Sequence, residues 1–278
     1  MRQLIKNEMQ RAFKNKKFLI VILIECIIVV MHFRNNVWPM YSKTIPFFKS
    51  MVDTEKGMDY IPGAYYVWLG IKASPFRTVI FAIIPILAAI PYGATLYTDI
   101  KTNYITNIAV RYDKKAYYFS KLVTMFVSGG IIGIFPFVLS FLTNATILPL
   151  EKVIPATTTF MGQLSVFSNV FYSNTLLYVL FYLIVVFVGF GIINCFCFLA
   201  AYLFENRFVV MMTPFTIYFA MYVIGNFMGK RNISPWLYLR LNDVNRNDIG
   251  KILTQVGIAI VIIIAGYLIK SSRKADVL

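Results

Sequence analysis

The chain has 278 residues, 59% of them hydrophobic and only 14% charged. A soluble domain of this length carries roughly half apolar and a quarter charged residues, so the composition argues against a water-soluble globule. The net charge of +15, from 27 Lys and Arg against 12 Asp and Glu, would suit nucleic acid in a soluble protein, but here the cations flank apolar blocks, where they meet anionic lipid and set topology. Membrane lipid is the expected partner and nucleic acid is not.

Residues 1–17 are predicted to form an amphipathic helix on the membrane surface. Ile5, Met9, Ala12 and Phe13 follow helical spacing, while Arg2, Lys6, Arg11, Lys14, Lys16 and Lys17 carry the charge. The plainer reading of the same residues is a basic flank that orients the first span. The first apolar block begins at Phe18 and ends in Met31-His32-Phe33-Arg34 rather than small residues, so it is expected to be retained as an anchor.

A bilayer core about 30 Å thick takes about 20 largely apolar residues per helix. Six blocks meet or approach this: Phe18–Phe33, Val79–Thr98, Leu122–Leu142, Leu176–Phe204, Phe208–Met228 and Ile252–Ile269. The expected fold class is all-α, a polytopic integral membrane protein with residues 1–278 as one domain and no long internal repeat. The first block is short and holds Glu25, and the fourth is long enough to tilt or protrude. Pro85, Pro91, Pro136 and Pro214 lie inside blocks, where kinks are expected. With both termini inside, the inner segments hold more than half of the Lys and Arg in about half the length of the outer ones, and density therefore favours that orientation. Among the outer loops, Tyr65-Tyr66-Val67-Trp68-Leu69 after Pro62, the stretch from Phe160 to Tyr172, and Ser234-Pro235-Trp236-Leu237-Tyr238-Leu239 read as interfacial helices, with substrate gates as the sharper alternative.

The chain shows little sign of chemistry of its own. Gly225-Asn-Phe-Met-Gly229-Lys230-Arg231 resembles a phosphate-binding loop, but its glycine spacing is one residue short and Arg231 replaces the magnesium-binding hydroxyl. His32 is the single histidine, no His-Glu-x-x-His occurs, and no span holds a pair of carboxylates. Cys26, Cys195 and Cys197 fall inside apolar blocks and read as small packing residues, without a metal-binding pattern. Glu25 is the costly residue, since a charge at mid-membrane is disfavoured by about 2.5–3.5 kcal/mol on insertion scales. It reads equally as a transport-path or gating residue and as a neutral carboxyl packed between helices. Asn194 and Asn226 are expected to hydrogen-bond between helices. Gly129-Gly130-x-x-Gly133 and Gly225-x-x-x-Gly229 suit close packing or a dimer contact.

The most informative stretch is the inner loop Asp99–Lys121. Tyr104, Ile108 and Arg111 fall on one helical face, and a basic turn follows at Lys114-Lys115. A short helix across the inner mouth could transmit a push from a docked soluble subunit; the bland reading is a basic helix lying on lipid. Six spans, a basic N-terminus and this connection resemble the ABC-2 type permeases, the membrane subunits of one class of ABC exporter. That family commonly places an acidic residue, then Gly-Thr, a short apolar helix, Pro, a basic pair, and Tyr with Lys four residues on. Here Asp99 stands at the acidic position, Tyr104–Val110 is the helix, Lys114-Lys115 the basic pair, and Tyr117 and Lys121 close the pattern. Thr102 and Asn103 replace Gly-Thr, and Arg111 replaces Pro.

The resemblance implies a permease subunit, not itself an enzyme, that pairs with a second permease copy or sister and docks two cytosolic ABC ATPase subunits. Those partners would hold ATP and magnesium, leaving this chain without a cofactor. It implies docking residues within Asp99–Lys121, namely Asp99, Thr102, Tyr104, Ile108, Arg111, Lys114, Lys115, Tyr117 and Lys121. It also implies export of an amphipathic substrate, such as an antimicrobial peptide, drug or lipid, across the plasma membrane of a Gram-positive bacterium. Richness in Lys, Asn, Ile, Tyr and Phe fits an AT-rich bacterial genome. The rivals are a secondary transporter driven by an ion gradient through Glu25 and a non-transporting scaffold or sensor.

Overall fold

The computed structural model describes residues 1–52, 63–109, 112–151, 153, 165–230, 233–244 and 246–272. Pro62, Val110, Arg111, Arg231 and residues 160–164 of the predicted third outer loop lie outside the described residues. The described chain is helical, and no β-strand occurs in it.

Helix α1, Arg2–Phe13, leads through Asn15 into α2, Lys16–His32. Asn15 serves both: its amide donates to the Arg11 and Ala12 carbonyls, and its side-chain oxygen accepts from the Phe18 amide at 2.8 Å. Two π-helical turns, Phe33–Val37 and Met40–Thr44, carry the chain from α2 to α3, Ile45–Val52. Then follow α4, Pro75–Tyr92; α5, Thr95–Lys101; α6, Tyr104–Ala109; and α7, Lys114–Ala145. The remainder is α8, Ser168–Ser173; α9, Thr175–Leu203; α10, Arg207–Phe227; α11, Pro235–Tyr238; and α12, Ile249–Ser272. Side-chain caps define the starts of the long helices. Ser74 accepts from Arg77 N, Asp113 from Lys115 N, Asn174 from Leu177 N and Asn206 from Phe208 N; each satisfies an amide that the first turn leaves unpaired.

Five described helices are long and apolar enough to cross a membrane: α4 with α5, α7, α9, α10 and α12. They cover the second to sixth predicted spans. The first prediction falls on α2, whose 17 residues rise only about 26 Å, so it stands apart from the other five. Even so, α2 runs the length of the bundle. It starts beside α1 at one end, and His32 Nε2 lies 2.9 Å from the Val67 carbonyl oxygen at the other.

We term these ends inner and outer. At the outer end, residues 63–74 form a plug of turns rather than the predicted interfacial helix: Trp68 Nε1 donates to the Phe137 carbonyl at 2.9 Å, and Trp68 and Leu69 are fully buried. The indole is too large an apolar body to leave outside once its one donor finds a carbonyl. At the inner end, the Tyr267 hydroxyl near the end of α12 donates to the Lys115 carbonyl. Both the first and last described helices therefore meet the bundle at the same end.

The centre is the α7–α9 pair. A Cβ at Gly129 would stand 2.5 Å from Asn194 Cβ, at Gly130 2.6 Å from the Phe187 ring and at Gly191 2.8 Å from the Phe126 ring. The Gly129-Gly130-x-x-Gly133 run thus packs within the chain rather than in a dimer contact, and Asn194 donates across it to the Met125 carbonyl at 2.8 Å. Asn226, in contrast, donates within its own helix to Tyr222. Outward faces are apolar: Leu19, Leu23, Ile27 and Val30 on α2, and almost all of α12, where only Ile263 and Ser271 are buried. An apolar surface of this extent fits lipid or a partner, not water.

Candidate functional site

A cluster of charges is buried at the inner end, where α1, α4, α5 and α7 meet. The Arg11 guanidinium makes a two-pronged contact with Asp99, at 3.0 and 2.7 Å, and reaches Glu8 at 3.0 Å. Lys121 Nζ lies 2.8 Å from Glu8 and 2.6 Å from Asp99. Tyr117 donates to Asp99 at 2.6 Å and Tyr92 donates to Glu8. Aromatic rings cover the cations, with Lys121 Nζ 5.0 Å from the Tyr92 ring centre and Arg11 5.1 Å from that of Tyr104.

Two carboxylates face two cations, so the set is neutral, and Lys121 is 0% exposed. Burial opposes the Arg11 charge, but hydrogen bonds and charge from Asp99 and Glu8 outweigh it and raise its pKa. Leu4, Ala12, Leu96, Ile105, Tyr118 and Met125 wall the cluster with apolar surface. In such surroundings an ion pair repays its desolvation only when its hydrogen bonding is nearly complete. The arrangement can lock four segments into one rigid unit. No grouping of three metal-binding side chains occurs among the described residues.

The structure brings Asp99, Tyr117 and Lys121 of the predicted docking pattern together, but buries them. Their polar atoms are engaged with one another and with Glu8 and Arg11 inside the cluster. The surface that remains open is α6 with its flanks. Tyr104 is 38% exposed, and Thr102, Thr106, Asn107 and Lys115 are exposed, while Ile105 and Ile108 turn inward onto the apolar wall. Thr102 folds its hydroxyl back onto the Thr98 carbonyl at 2.9 Å. Lys114 is half-buried with its ammonium 5.8 Å from the Tyr118 ring centre, and Arg111 is outside the described residues.

Comparison with known proteins gives no further guide. No family model, curated protein or solved structure matches this chain. The site therefore has to be interpreted from its own geometry.

Three members of the cluster, Glu8, Arg11 and Tyr92, were not singled out as a site in the sequence. One signal was available: Glu8 is the sole acidic residue in the basic segment 1–17 and shares a face with Leu4 and Ala12. Helix α1 also packs on α7 and α4, so it is not merely a helix lying on lipid. Glu25 sits apart. It is 1% exposed, on the α2 face that also carries Val21, Val29 and His32, and both its carboxyl oxygens lack a hydrogen-bond partner.

Proposed function

We propose that this chain is the membrane-spanning permease subunit of a transporter driven by a separate ATPase, as its resemblance to ABC-2 type permeases implies. Six helices, α2 included, cross the membrane with both termini inside. An even number of passages is what two chain ends at the same bundle end require. Arg77, near the start of α4, and Asp99, at the end of α5, are 22 residues apart, or about 33 Å of helix, which matches the hydrocarbon thickness of about 30 Å. Arg77 and the inner charged cluster then sit at the two headgroup levels.

The observation that carries the reading is the buried Glu8–Arg11–Asp99–Lys121 cluster lying directly behind the exposed face of α6. A push on α6 from a docked subunit cannot be absorbed by local sliding. It is handed to α1, α4 and α7 together, and through α7 to α9. Closing of two ATPase subunits on ATP would thus tilt whole bundles and open a path at the interface between two permease copies or sisters. Substrates of the amphipathic class fit a chain with so much outward apolar surface. The unpartnered carboxyl of Glu25 favours the gradient-driven reading, in which it would carry a proton; no second embedded carboxylate accompanies it within its span.

The test uses the full chain in its native membrane. Lys114→Glu with Lys115→Glu reverses charge beside α6 while leaving intact the backbone groups that bond Asp113 and Tyr267. The double variant is expected to insert normally and to lose co-purifying ATPase activity by about tenfold, the effect of some 1.4 kcal/mol at an interface. Wild-type co-purification and transport would remove α6 as the docking element.

A further inference from the structure

Helix α12 is pinned to the bundle at its inner end and parts from it at its outer end. A Cβ on Gly266 would stand 2.1 Å from Leu199 Cδ2 of α9, so the two helices touch there. Tyr267 reaches the Lys115 carbonyl, and Lys270 Nζ lies 4.3 Å from the Tyr202 ring centre. Toward the outer end a cavity of about 360 Å³ opens between α9 and α12, with α10 forming a further wall. Its lining begins at Ile249 and ends at Ala259 on α12, and runs alongside from Phe181 to Phe196 on α9.

Among the described residues that line the cavity, only Tyr218, Tyr238 and Gln255 carry nitrogen or oxygen in their side chains. A water molecule needs about two to four polar partners to stay in a cavity, so these walls suit hydrocarbon instead. On its outer side the cavity is roofed. Val166, Leu239, Leu241 and Val244 line it and are buried, the Val166 amide donates to the Val244 carbonyl at 2.9 Å, and the Ser165 hydroxyl donates to the Asn242 carbonyl at 3.1 Å. Arg77, on the first turn of α4, donates to the Asn242 side chain at 2.5 Å, which fixes this roof at the outer end. The way in is sideways. Ile184 and Val188 of α9 and Leu253 of α12 line the cavity yet are 60, 38 and 63% exposed, on the flank where a bilayer would lie. The eleven residues from Ile249 to Ala259 rise about 15 Å, half of a hydrocarbon core about 30 Å thick. Over that depth the volume leaves about 24 Å² of cross-section, or about 5.5 Å across. Carbon atoms meet at about 3.5–4.0 Å, so the space takes a single hydrocarbon chain. A helix with its side chains, about 10–12 Å wide, does not fit.

We propose that this cavity holds one acyl chain of an outer-leaflet phospholipid, entered sideways between α9 and α12, with the headgroup left outside the roof. The chain supplies the dispersion contacts that the facing walls of α9 and α12, held apart, cannot make with each other. Depth, width and wall chemistry all match a lipid tail, and the roof keeps the headgroup out, so the site selects a tail and not a charge. The inference rests on the membrane placement of the preceding section, and not on the ATPase.

The test is photolabelling of the purified full chain in dioleoyl phosphatidylcholine vesicles. The vesicles are doped with phosphatidylcholine carrying a diazirine either at the acyl terminus or beside the ester, and labelled residues are located by fragment-ion mass spectrometry. The terminal probe is expected to label Val256 and Ala259, and the ester-side probe Ile249 and Ile252. Ile258 and Val261, 60 and 65% exposed on the outward side of α12, should take label from bulk lipid in every variant. Val188→Trp and Leu253→Trp each place a ring at one lip of the opening. Both are expected to lower labelling at Val256 and Ala259 by about tenfold, equivalent to roughly ten lost dispersion contacts, and to leave Ile258 unchanged. Label at Ile258 but none at Val256 and Ala259 would overturn the proposal and leave the membrane placement standing; a Leu253→Cys crosslink between two chains would then assign the space to a second copy. Absence of label at all of these positions would remove the placement and the proposal together. Equal labelling of Ala259 in wild type and both variants would reduce the cavity to bulk lipid contact, and the reverse order of the two probes would bring the tail from the inner leaflet. Either result contradicts the proposal.

Discussion

Lys121 shows at the scale of a single side chain how this protein handles charge at the edge of an apolar bundle. Its ammonium is fully enclosed, yet two carboxylates stand within 2.8 Å and two aromatic rings within 5.4 Å. Removing it would leave Glu8 and Asp99 confined with only Arg11 between them. Loss of one partner from a buried ion set costs about 3–5 kcal/mol. Lys121→Met is therefore expected to lower the thermal unfolding midpoint of the purified chain markedly, and Glu8→Gln added to it should restore part of the loss. Equal midpoints for Lys121→Met and wild type would mean that the cluster contributes nothing to holding α1 on α7. The residue was legible as part of a family-like pattern, but not as a buried brace. Its partner Glu8 lies more than a hundred positions away, and nothing local in the sequence says which face of α7 turns inward. Glu25 was legible as an anomaly because its cost is intrinsic to the residue type in an apolar run, whatever the neighbours are.

Among the elements, the long helices were the most readable part of the sequence. Hydropathy over some twenty residues registers the solvent, and five of the predicted spans fall on long apolar helices whose ends lie within four residues of expectation, except that α7 starts at Lys114, eight residues before the predicted Leu122. Asn15, Ser74, Asp113, Asn174 and Asn206 mark the starts because a helix has amides to satisfy there. The plug at residues 63–74 was misread. An aromatic run beside a proline has the composition of an interfacial helix, and only the fold places the Phe137 carbonyl where the Trp68 indole can reach it. The glycines of α7 were ambiguous for the same reason, since small-residue spacing permits close approach without naming the partner. With α9 as that partner, Gly130→Leu is expected to destabilise by about 1–3 kcal/mol or more, as overpacking does. A Cβ there also meets the Phe187 carbonyl oxygen at 2.8 Å, and backbone does not yield as a side chain does. The measurement is again the unfolding midpoint, and an unchanged value would point to an α7–α9 interface looser than described.

At the level of the whole molecule, the account is mechanical. A charged brace ties α1, α4, α5 and α7 behind an exposed short helix at one end, while a plug closes the other. The arrangement has a direction only if α6 faces the compartment that holds ATP. The three native cysteines lie in apolar helices, two of them buried, so a cysteine introduced at exposed Asn107 can be followed over a low background. A membrane-impermeant thiol reagent applied to intact cells expressing Asn107→Cys is expected to leave it unlabelled, and to label it once the cells are opened. Labelling at Asn107→Cys in intact cells, at the rate of a site known to lie outside, would place α6 on the wrong side of the membrane and contradict the account.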